Sequence, residues 1–282
     1  MDGNSIGFEW GQTTFSQPSN LRGQTPFFAK TITIATESSE KWALTPSKPP
    51  GKRGLIPIVP LLLAGMIAWS QAADAQTPPG AGEIARYDEL FSAVVEQDEV
   101  RLDQRLESVS DIDRRDAHGR SALHVAAYFR NHAALRKLVA AGADPNALES
   151  DYYDIGTIAA VANDLETMKL ALGLGCRADN VTSRYQGTAL IAAAHLGHVE
   201  IVATLIRAGA PLDHVNNLEW TAVIEAIVLG DGGPRHTATL RALVDAGANV
   251  NLADGRGNTP LQLARGHNYS KMVEILTAAG AK

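Results

Sequence analysis

Cysteine is almost absent from this 282-residue chain, which contains only Cys176. One thiol can form neither a disulfide within the chain nor a zinc site rich in thiolates, so we expect Cys176 to be a small buried apolar residue. Basic clusters are also lacking. The formal net charge is −6, and no segment gathers the Lys and Arg residues that contact with phosphates requires. We therefore predict no nucleic-acid partner.

Motifs for metal binding and catalysis are missing as well. All eight histidines lie between His118 and His267, without the close helical pairing of a zinc site. His198 and Glu200 have the H-x-E spacing of zinc deaminases, but the cysteine pair which that site needs cannot exist here. No glycine-rich phosphate loop and no G-x-S-x-G elbow occurs. We predict no metal, no cofactor and no catalytic residue. An enzyme whose scattered side chains meet in a groove is the less favoured alternative.

The longest apolar run is too short for a membrane-spanning helix. Leu55 to Trp69 is about 15 residues long and contains prolines, whereas a span needs about 20 apolar residues. The run follows the basic pair Lys52-Arg53 and precedes Ala73-Asp74-Ala75, which is the order of a secretory leader. The pattern predicts a signal peptide at 52–75, cleaved after Ala75, with no stable membrane insertion afterwards. An uncleaved anchor is the weaker alternative.

The segment before the predicted leader has no recognisable pattern. Residues 1–51 are mixed in composition and have no periodic apolar face. Because a leader should begin near the N-terminus, we predict that translation starts downstream of Met1 and that 1–51 are a non-native or disordered upstream extension. If Met1 is used, the leader is internal. Residues 76–83 are predicted to be a linker.

A repeat of about 33 residues organises the rest of the sequence. At steps of 33, 34, 38 and 33 residues, an apolar pattern with helical spacing ends at Gly142-Ala143, Gly175-Cys176, Gly209-Ala210, Gly247-Ala248 and Gly280-Ala281. Glycine ends helices because it adopts the left-handed conformation without steric cost. Earlier in the period a Ser or Thr precedes small and aliphatic residues, as at Ser121, Thr188, Thr221 and Thr259. The hydroxyl predicts a helix cap, and the alanines that follow predict close packing.

These boxes resemble the T-P-L-H-x-A motif of ankyrin repeats, and Gly197 to Glu200 resembles the turn between the two helices of that family. The resemblance is strong over 116–280. It implies an all-α ankyrin-repeat solenoid of about six helix-turn-helix units joined by β-hairpin loops, in which His124 and His198 are structural. A tetratricopeptide array has a similar period, but its aromatic and Leu-Gly signature is missing. We place the repeat domain at 84–282, with units at about 84–115, 116–150, 151–183, 184–216, 217–253 and 254–282.

Two units depart from the pattern. In the third unit Gly156 occupies the usual leucine position, so we expect this unit to be the least stable internal one. In the fifth unit, Gly230 to His236 lengthens the link between the helices, which accounts for the 38-residue step. The first unit has an acidic exterior, which suits an N-terminal capping repeat.

The tips between units supply the predicted binding residues. Tips and first helices of a repeat array line up in a concave surface, which is the family's usual binding face. Aromatic residues and arginines are over-represented among interface hot spots. The predicted partner-binding residues are Arg115, Tyr152, Tyr153, Arg184, Tyr185, Trp220 and Arg256. The alternative is that Tyr153 and Trp220 only pack on neighbouring tips.

The resemblance implies a non-catalytic module for protein–protein interaction. Exported ankyrin proteins of Gram-negative bacteria pair a leader with five or six repeats, and some are linked to periplasmic catalase. A periplasmic location and a catalase as one candidate partner are therefore implications of the resemblance. The competing hypothesis is a secreted effector that binds host proteins, which would need an export route beyond the periplasm.

Overall fold

The computed structural model describes residues 78–282, so the predicted upstream extension (1–51) and signal peptide (52–75) lie outside the described residues. The described part contains helices and turns and no named strand. The helices are α1 (Ala81–Ile84), α2 (Glu89–Glu96), α3 (Glu99–Leu106), α4 (Ala122–Tyr128), α5 (His132–Ala140), α6 (Ile155–Val161), α7 (Leu165–Gly173), α8 (Ala189–Leu196), α9 (Val199–Arg207), α10 (Ala222–Val228), α11 (Pro234–Asp245), α12 (Pro260–Gly266) and α13 (Ser270–Ala278).

After α1, the helices form six antiparallel pairs that stack in chain order. The first helices, α2, α4, α6, α8, α10 and α12, contact one another in series, and the second helices do the same. In the described part of the chain, each unit therefore packs mainly on its neighbours in sequence. The buried leucine of the fourth unit, Leu190, is 0% exposed, as the repeat register requires. The predicted all-α solenoid of six units is confirmed.

Side-chain caps and glycines set the ends of these helices, as the repeat predicts. Thr188, Thr221 and Thr259 each accept a hydrogen bond from the backbone N–H three residues later. Such a cap satisfies one of the N–H groups that a helix start leaves without a partner. The repeated glycines after the second helices all have positive φ, from 81° to 101°. A side chain there would be strained, so each glycine ends its helix and turns the chain toward the next unit.

The third unit compensates for its missing leucine. A Cβ added to Gly156 would lie 2.9 Å from Cys176 Sγ, so the thiol occupies the space that a side chain at position 156 would need. Cys176 stands where the other units have alanine after the glycine. It is buried, its Sγ lies 3.6 Å from Asp154 Oδ2, and burial raises the pKa of the Cys176 thiol. The thiol is a packing group, as the sequence predicts.

In the fifth unit, the extra residues lie partly in the second helix, whereas the sequence predicted that all of them lie in the link between the helices. The link between α10 and α11 is limited to 229–233, because Pro234 begins α11 and His236 lies in its first turn. Proline fits this position because the backbone N–H of a residue in the first helical turn has no partner within the helix, so its absence costs nothing. His236 is buried, and its ring nitrogens contact the Asp231 carboxylate at 2.8 Å and the His195 carbonyl at 2.9 Å. The insertion therefore lengthens the second helix as well as the link.

The folded body begins before the predicted end of the linker. Residues 81–83 lie in α1, and Glu83 Oε1 accepts a hydrogen bond of 3.0 Å from the buried guanidinium of Arg120. The same guanidinium donates to Asp116 Oδ2 at 2.7 Å. This long-range ion pair attaches α1 to the second unit, and nothing in the local pattern of 76–83 indicates it. Along 78–282, no helix is both long and apolar enough to span a lipid bilayer.

Candidate partner-binding face

Five turns, here called tips, join successive units at 116–120, 149–153, 182–187, 216–220 and 254–258. The predicted β-hairpins are reduced to turns, with one isolated antiparallel bridge, Thr182 to Gly187, among the described residues. A polar side chain at the start of the tip closes it: Asn216 Oδ1 accepts hydrogen bonds of 3.0 Å from the backbone N–H groups of Leu218 and Trp220. Side-chain acceptors of this kind stabilise turns in place of a strand ladder.

Neighbouring tips are joined to one another by backbone hydrogen bonds. The Ser150 N–H donates to the His118 carbonyl at 3.1 Å, and the Asn217 N–H donates to the Tyr185 carbonyl at 2.9 Å. Between them, the second and third tips are joined at 2.8 Å by the N–H of Ser183 and the carbonyl of Tyr152. The first four tips therefore form a continuous row, here called the tip row, whose backbone is fixed before any partner arrives.

Two of the predicted arginines connect tips to each other. The Arg184 guanidinium pairs with the carboxylate of Asp151 in the preceding tip. Arg115 lies just before the first tip, and its guanidinium donates to the Gly119 carbonyl of that tip at 2.7 Å and to the carbonyl of Leu148, which directly precedes the second tip. Arg115 and Arg184 remain exposed, as does Arg256 in the last tip. The three guanidinium groups lie in different tips and do not form one cluster.

The aromatic residues of the tips differ in exposure. Tyr152 is 56% exposed and has a left-handed backbone with φ of 67°, while Tyr185 and Trp220 are half-buried. Tyr153, predicted to be a surface contact, is only 5% exposed, and burial raises its pKa to about 12. The reason is the turn geometry: the left-handed residue projects outward and the next side chain projects inward. For Tyr153 the packing alternative describes the structure better.

Tyr153 forms one side of a small cleft between the third and fourth units, here called the central cleft. The cleft encloses about 40 Å³ and opens beside the tip row. Apolar side chains provide most of its surface, and its lining also includes hydroxyl and amide side chains. Its lining includes Tyr153, Thr157, Val161, Tyr185, Ile191, Ala192, His195 and Asn216.

A buried carboxylate lies directly behind the central cleft. Glu225 on α10 is 0% exposed, and its Oε1 accepts a hydrogen bond of 2.9 Å from Asn216 Nδ2. Its Oε2 lies 3.6 Å from His195 Nδ1, which exceeds hydrogen-bond length, and accepts no hydrogen bond within the described part of the chain. Burial raises the pKa of Glu225, and interactions with His195 and Asn216 partly offset this effect.

The sequence prediction missed Glu225, although a signal was present. In the aligned boxes Glu225 stands at the position that Ala192 occupies one unit earlier. A carboxylate where the other boxes carry small or apolar residues is costly if it is buried without a partner, so it indicates a special role. Its partners could not be read from the sequence because Asn216 belongs to the preceding tip and His195 to the preceding unit.

The histidines named by the repeat pattern have structural partners. His124 Nε2 lies 2.9 Å from the Ala147 carbonyl, which can only accept, so Nε2 carries the proton. Nδ1 then accepts from the Ser121 N–H at 3.2 Å. His198 Nδ1 likewise lies 2.9 Å from the Ala160 carbonyl. Over residues 78–282, no group of three or more His, Cys, Asp or Glu side chains is arranged to hold a metal ion.

Comparison with known proteins gives the same repeat. A family model of ankyrin repeats (3 copies) matches residues 157–254, and a single ankyrin-repeat model matches residues 118–150. The ankyrin repeat protein YahD of Escherichia coli (strain K12) is 33% identical over 173 residues, which cover 61% of this chain and 85% of that protein.

Solved structures agree with these matches. A crystal structure of an ankyrin repeat domain from Acinetobacter baumannii AYE is 42% identical, with a TM-score of 0.65, and the match covers 68% of this chain and 98% of that domain. The ankyrin repeat domain of Bcl-3, a member of the IkappaB protein family, is 24% identical with a TM-score of 0.63 over 70% of this chain and 88% of that domain, which supports the fold. Ankyrin repeats generally mediate protein–protein interaction and are typically non-catalytic. This chain belongs to the ankyrin-repeat family.

Proposed function

We propose that this protein is an exported interaction module that binds a partner protein through the tip row and the adjoining sides of the first helices. The observation that carries the proposal is the hydrogen-bonded tip row, which presents Tyr152 at the surface and Tyr185 and Trp220 in half-buried positions. A half-buried aromatic residue on a fixed backbone can contact a partner with little loss of conformational entropy.

The exposed arginines extend this face along the stack. Arg115 and Arg184 each have a partner within the tip row, so their side chains are positioned before binding. A guanidinium that is already oriented loses less entropy when it donates a further hydrogen bond to a partner. Arg256 adds an exposed cation at the last tip. Pre-organisation of this kind favours specific recognition over non-specific adhesion.

Two variants with a matched control test the binding face. Tyr152→Gly removes the exposed ring and places glycine at a left-handed position, so the tip should keep its shape. Trp220→Ala removes the aromatic side chain from the fourth tip. The double variant Lys271→Ala/Glu274→Ala changes two exposed residues on α13 without altering the net charge. Affinity for a partner captured from periplasmic extract and thermal melting are measured on the same proteins.

We expect each tip variant to weaken capture by about 2 kcal/mol or more, which is the threshold for a hot spot, with melting close to that of the wild type. The α13 control should bind normally. Normal binding by the tip variants together with weak binding by the control would place the working surface on the second helices and reject the proposal. A catalase among the captured proteins would support the periplasmic partner implied by the resemblance, whereas capture of host proteins alone would favour the secreted effector.

The exported location is a separate part of the proposal. It is supported by the order of basic pair, apolar run and Ala73-Asp74-Ala75 in the sequence. N-terminal sequencing of the protein from the periplasmic fraction should give Gln76 as the first residue. A cytoplasmic protein that begins at Met1 would refute export while leaving the binding face untouched.

A further inference from the structure

We propose that the central cleft is the subsite that receives one lysine side chain from an extended segment of the partner, with Glu225 as the group that selects the cation. This inference rests on the proposed function, because it names the chemistry that one part of the binding face recognises. It depends on three observations: the apolar surface of the cleft, the incompletely paired carboxylate behind it, and the charge of its surroundings.

The shape of the cleft suits an aliphatic stem. Val161 and Ile191 contribute aliphatic surface from the third and fourth units, and Tyr153 and Tyr185 contribute rings. The volume of about 40 Å³ is small, and its lining offers few acceptors, so it favours an aliphatic chain over a planar group that needs several hydrogen bonds. Lysine buries its methylene stem along apolar surface and keeps the charge at the tip, whereas the guanidinium of arginine requires several acceptors in one plane.

The carboxylate of Glu225 supplies the buried negative charge that lies nearest to a lysine ammonium in the cleft. Two of its neighbours, Asn216 and His195, line the cleft, so the carboxylate lies one side chain behind the cleft surface. Its Oε2 is paired with His195 Nδ1 only at 3.6 Å, which is longer than a hydrogen bond, so the carboxylate is incompletely compensated. A buried carboxylate with one contact this long is costly, and a cation brought close to it removes part of that cost. Burial also raises the pKa of Glu225, an effect that a nearby ammonium group would oppose.

The described residues that line the cleft include no Lys or Arg that could neutralise Glu225, so a partner would have to supply the cation. The nearby Arg184 is paired with Asp151 across two tips. Residues 76–282 carry 19 Lys and Arg residues against 26 Asp and Glu residues, so a basic segment is attracted to the protein as a whole. Charge complementarity therefore favours a lysine-bearing partner over an acidic or wholly apolar one.

The test uses three small probes and the full chain labelled with ¹⁵N. N-acetyl-lysine N-methylamide represents the proposed occupant, the norleucine analogue is an uncharged chain of similar shape, and the arginine analogue carries the other cation. Binding is followed by the chemical shifts of the amides of Ser183, Gly187 and Ile191, which line the cleft. We expect the lysine probe to bind at least about tenfold more tightly than the norleucine probe, which corresponds to 1.4 kcal/mol.

Two variants separate the roles of charge and shape. Glu225→Gln keeps the shape of the side chain and should reduce the preference for lysine over norleucine to less than about twofold. Ala192→Leu adds a larger side chain at a half-exposed position of the cleft surface and should weaken the lysine probe by more than about tenfold by filling the space. Ala203→Leu, at a half-exposed position of α9 outside the cleft, is its control. Thermal melting of all three confirms that they are folded.

Equal affinity for the lysine and norleucine probes, or tighter binding of the arginine probe, would overturn the assignment. So would normal binding of the lysine probe by the Ala192→Leu variant. Partner capture by the same variant distinguishes the two proposals. If Ala192→Leu captures the partner normally while Tyr152→Gly and Trp220→Ala do not, the lysine subsite is wrong and the binding face stands. If the tip variants capture normally while the lysine probe still requires Glu225, the proposed face is wrong.

Discussion

The relation between Gly156 and Cys176 predicts a measurable coupling in the third unit. An alanine at position 156 would place its Cβ 2.9 Å from Cys176 Sγ, which is shorter than an ordinary contact of 3.4–4 Å. The thiol is buried and donates a hydrogen bond of 3.6 Å to Asp154 Oδ2. Gly156→Ala therefore combines a gain in helix propensity with an overpacked contact.

The magnitudes follow from these two effects. Glycine in a helix interior costs roughly 0.5–1 kcal/mol relative to alanine, and less at the second residue of a helix, where Gly156 lies, whereas overpacking a core costs roughly 1–3 kcal/mol. We expect Gly156→Ala to lower the free energy of unfolding by about 1 kcal/mol. Cys176→Ala removes Sγ and leaves a gap beside the glycine, which should also cost about 1 kcal/mol, in the range of small deletions from a core. In the double variant the new Cβ fills the gap, so stability should return to within about 0.5 kcal/mol of the wild type.

The assay is chemical denaturation of the four proteins of the cycle, with hydrogen exchange of the α6 and α7 amides to localise the effect. Hydrogen exchange is needed because a repeat array can unfold in parts. Gly173→Ala, in the same unit, is the matched control: an added Cβ there contacts nothing within 4 Å, so the substitution should stabilise the protein whether or not Cys176 is present. If the Gly156 and Cys176 substitutions add to within about 0.3 kcal/mol, the thiol does not occupy the missing side chain's space and the reasoning is refuted.

Two further predictions concern the core and the box histidine. Leu190→Ala should destabilise the array by roughly 2–5 kcal/mol because Leu190 is fully buried between units, and a loss under about 0.5 kcal/mol in denaturation would contradict its position. Burial lowers the pKa of His124 from 6.5 to about 4, so the unfolded chain binds its proton first as the pH falls. The free energy of unfolding should therefore decrease by up to about 3 kcal/mol between pH 6.5 and pH 4. This loss should be smaller in His124→Gln. Parallel pH profiles of stability for the wild type and the variant would argue against the assignment.

Local patterns in the sequence determined the repeat, its register and the helix ends. Thr188, Thr221 and Thr259 act as caps because a hydroxyl satisfies an N–H only three residues away, and this spacing is visible in the sequence. Glycine after the second helix ends each unit for an equally local reason, its access to positive φ. The stack of six helix pairs follows from these signals because each unit packs mainly on its neighbours in the stack.

Only the tertiary structure decided which side chains are exposed at the tips and which contacts form between neighbouring units. Neighbouring tip residues such as Tyr152 and Tyr153 look equivalent in the sequence, yet the left-handed turn exposes one and buries the other. In the sequence, Gly156 indicates a missing core side chain, and only the structure shows that Cys176 Sγ occupies the space beside it. The side chains next to Glu225 come from distant positions in the sequence: Asn216 lies 9 residues earlier and His195 lies 30 residues earlier. Contacts at such separations depend on how the units pack against each other, and the repeat pattern of a single unit contains no information about that packing.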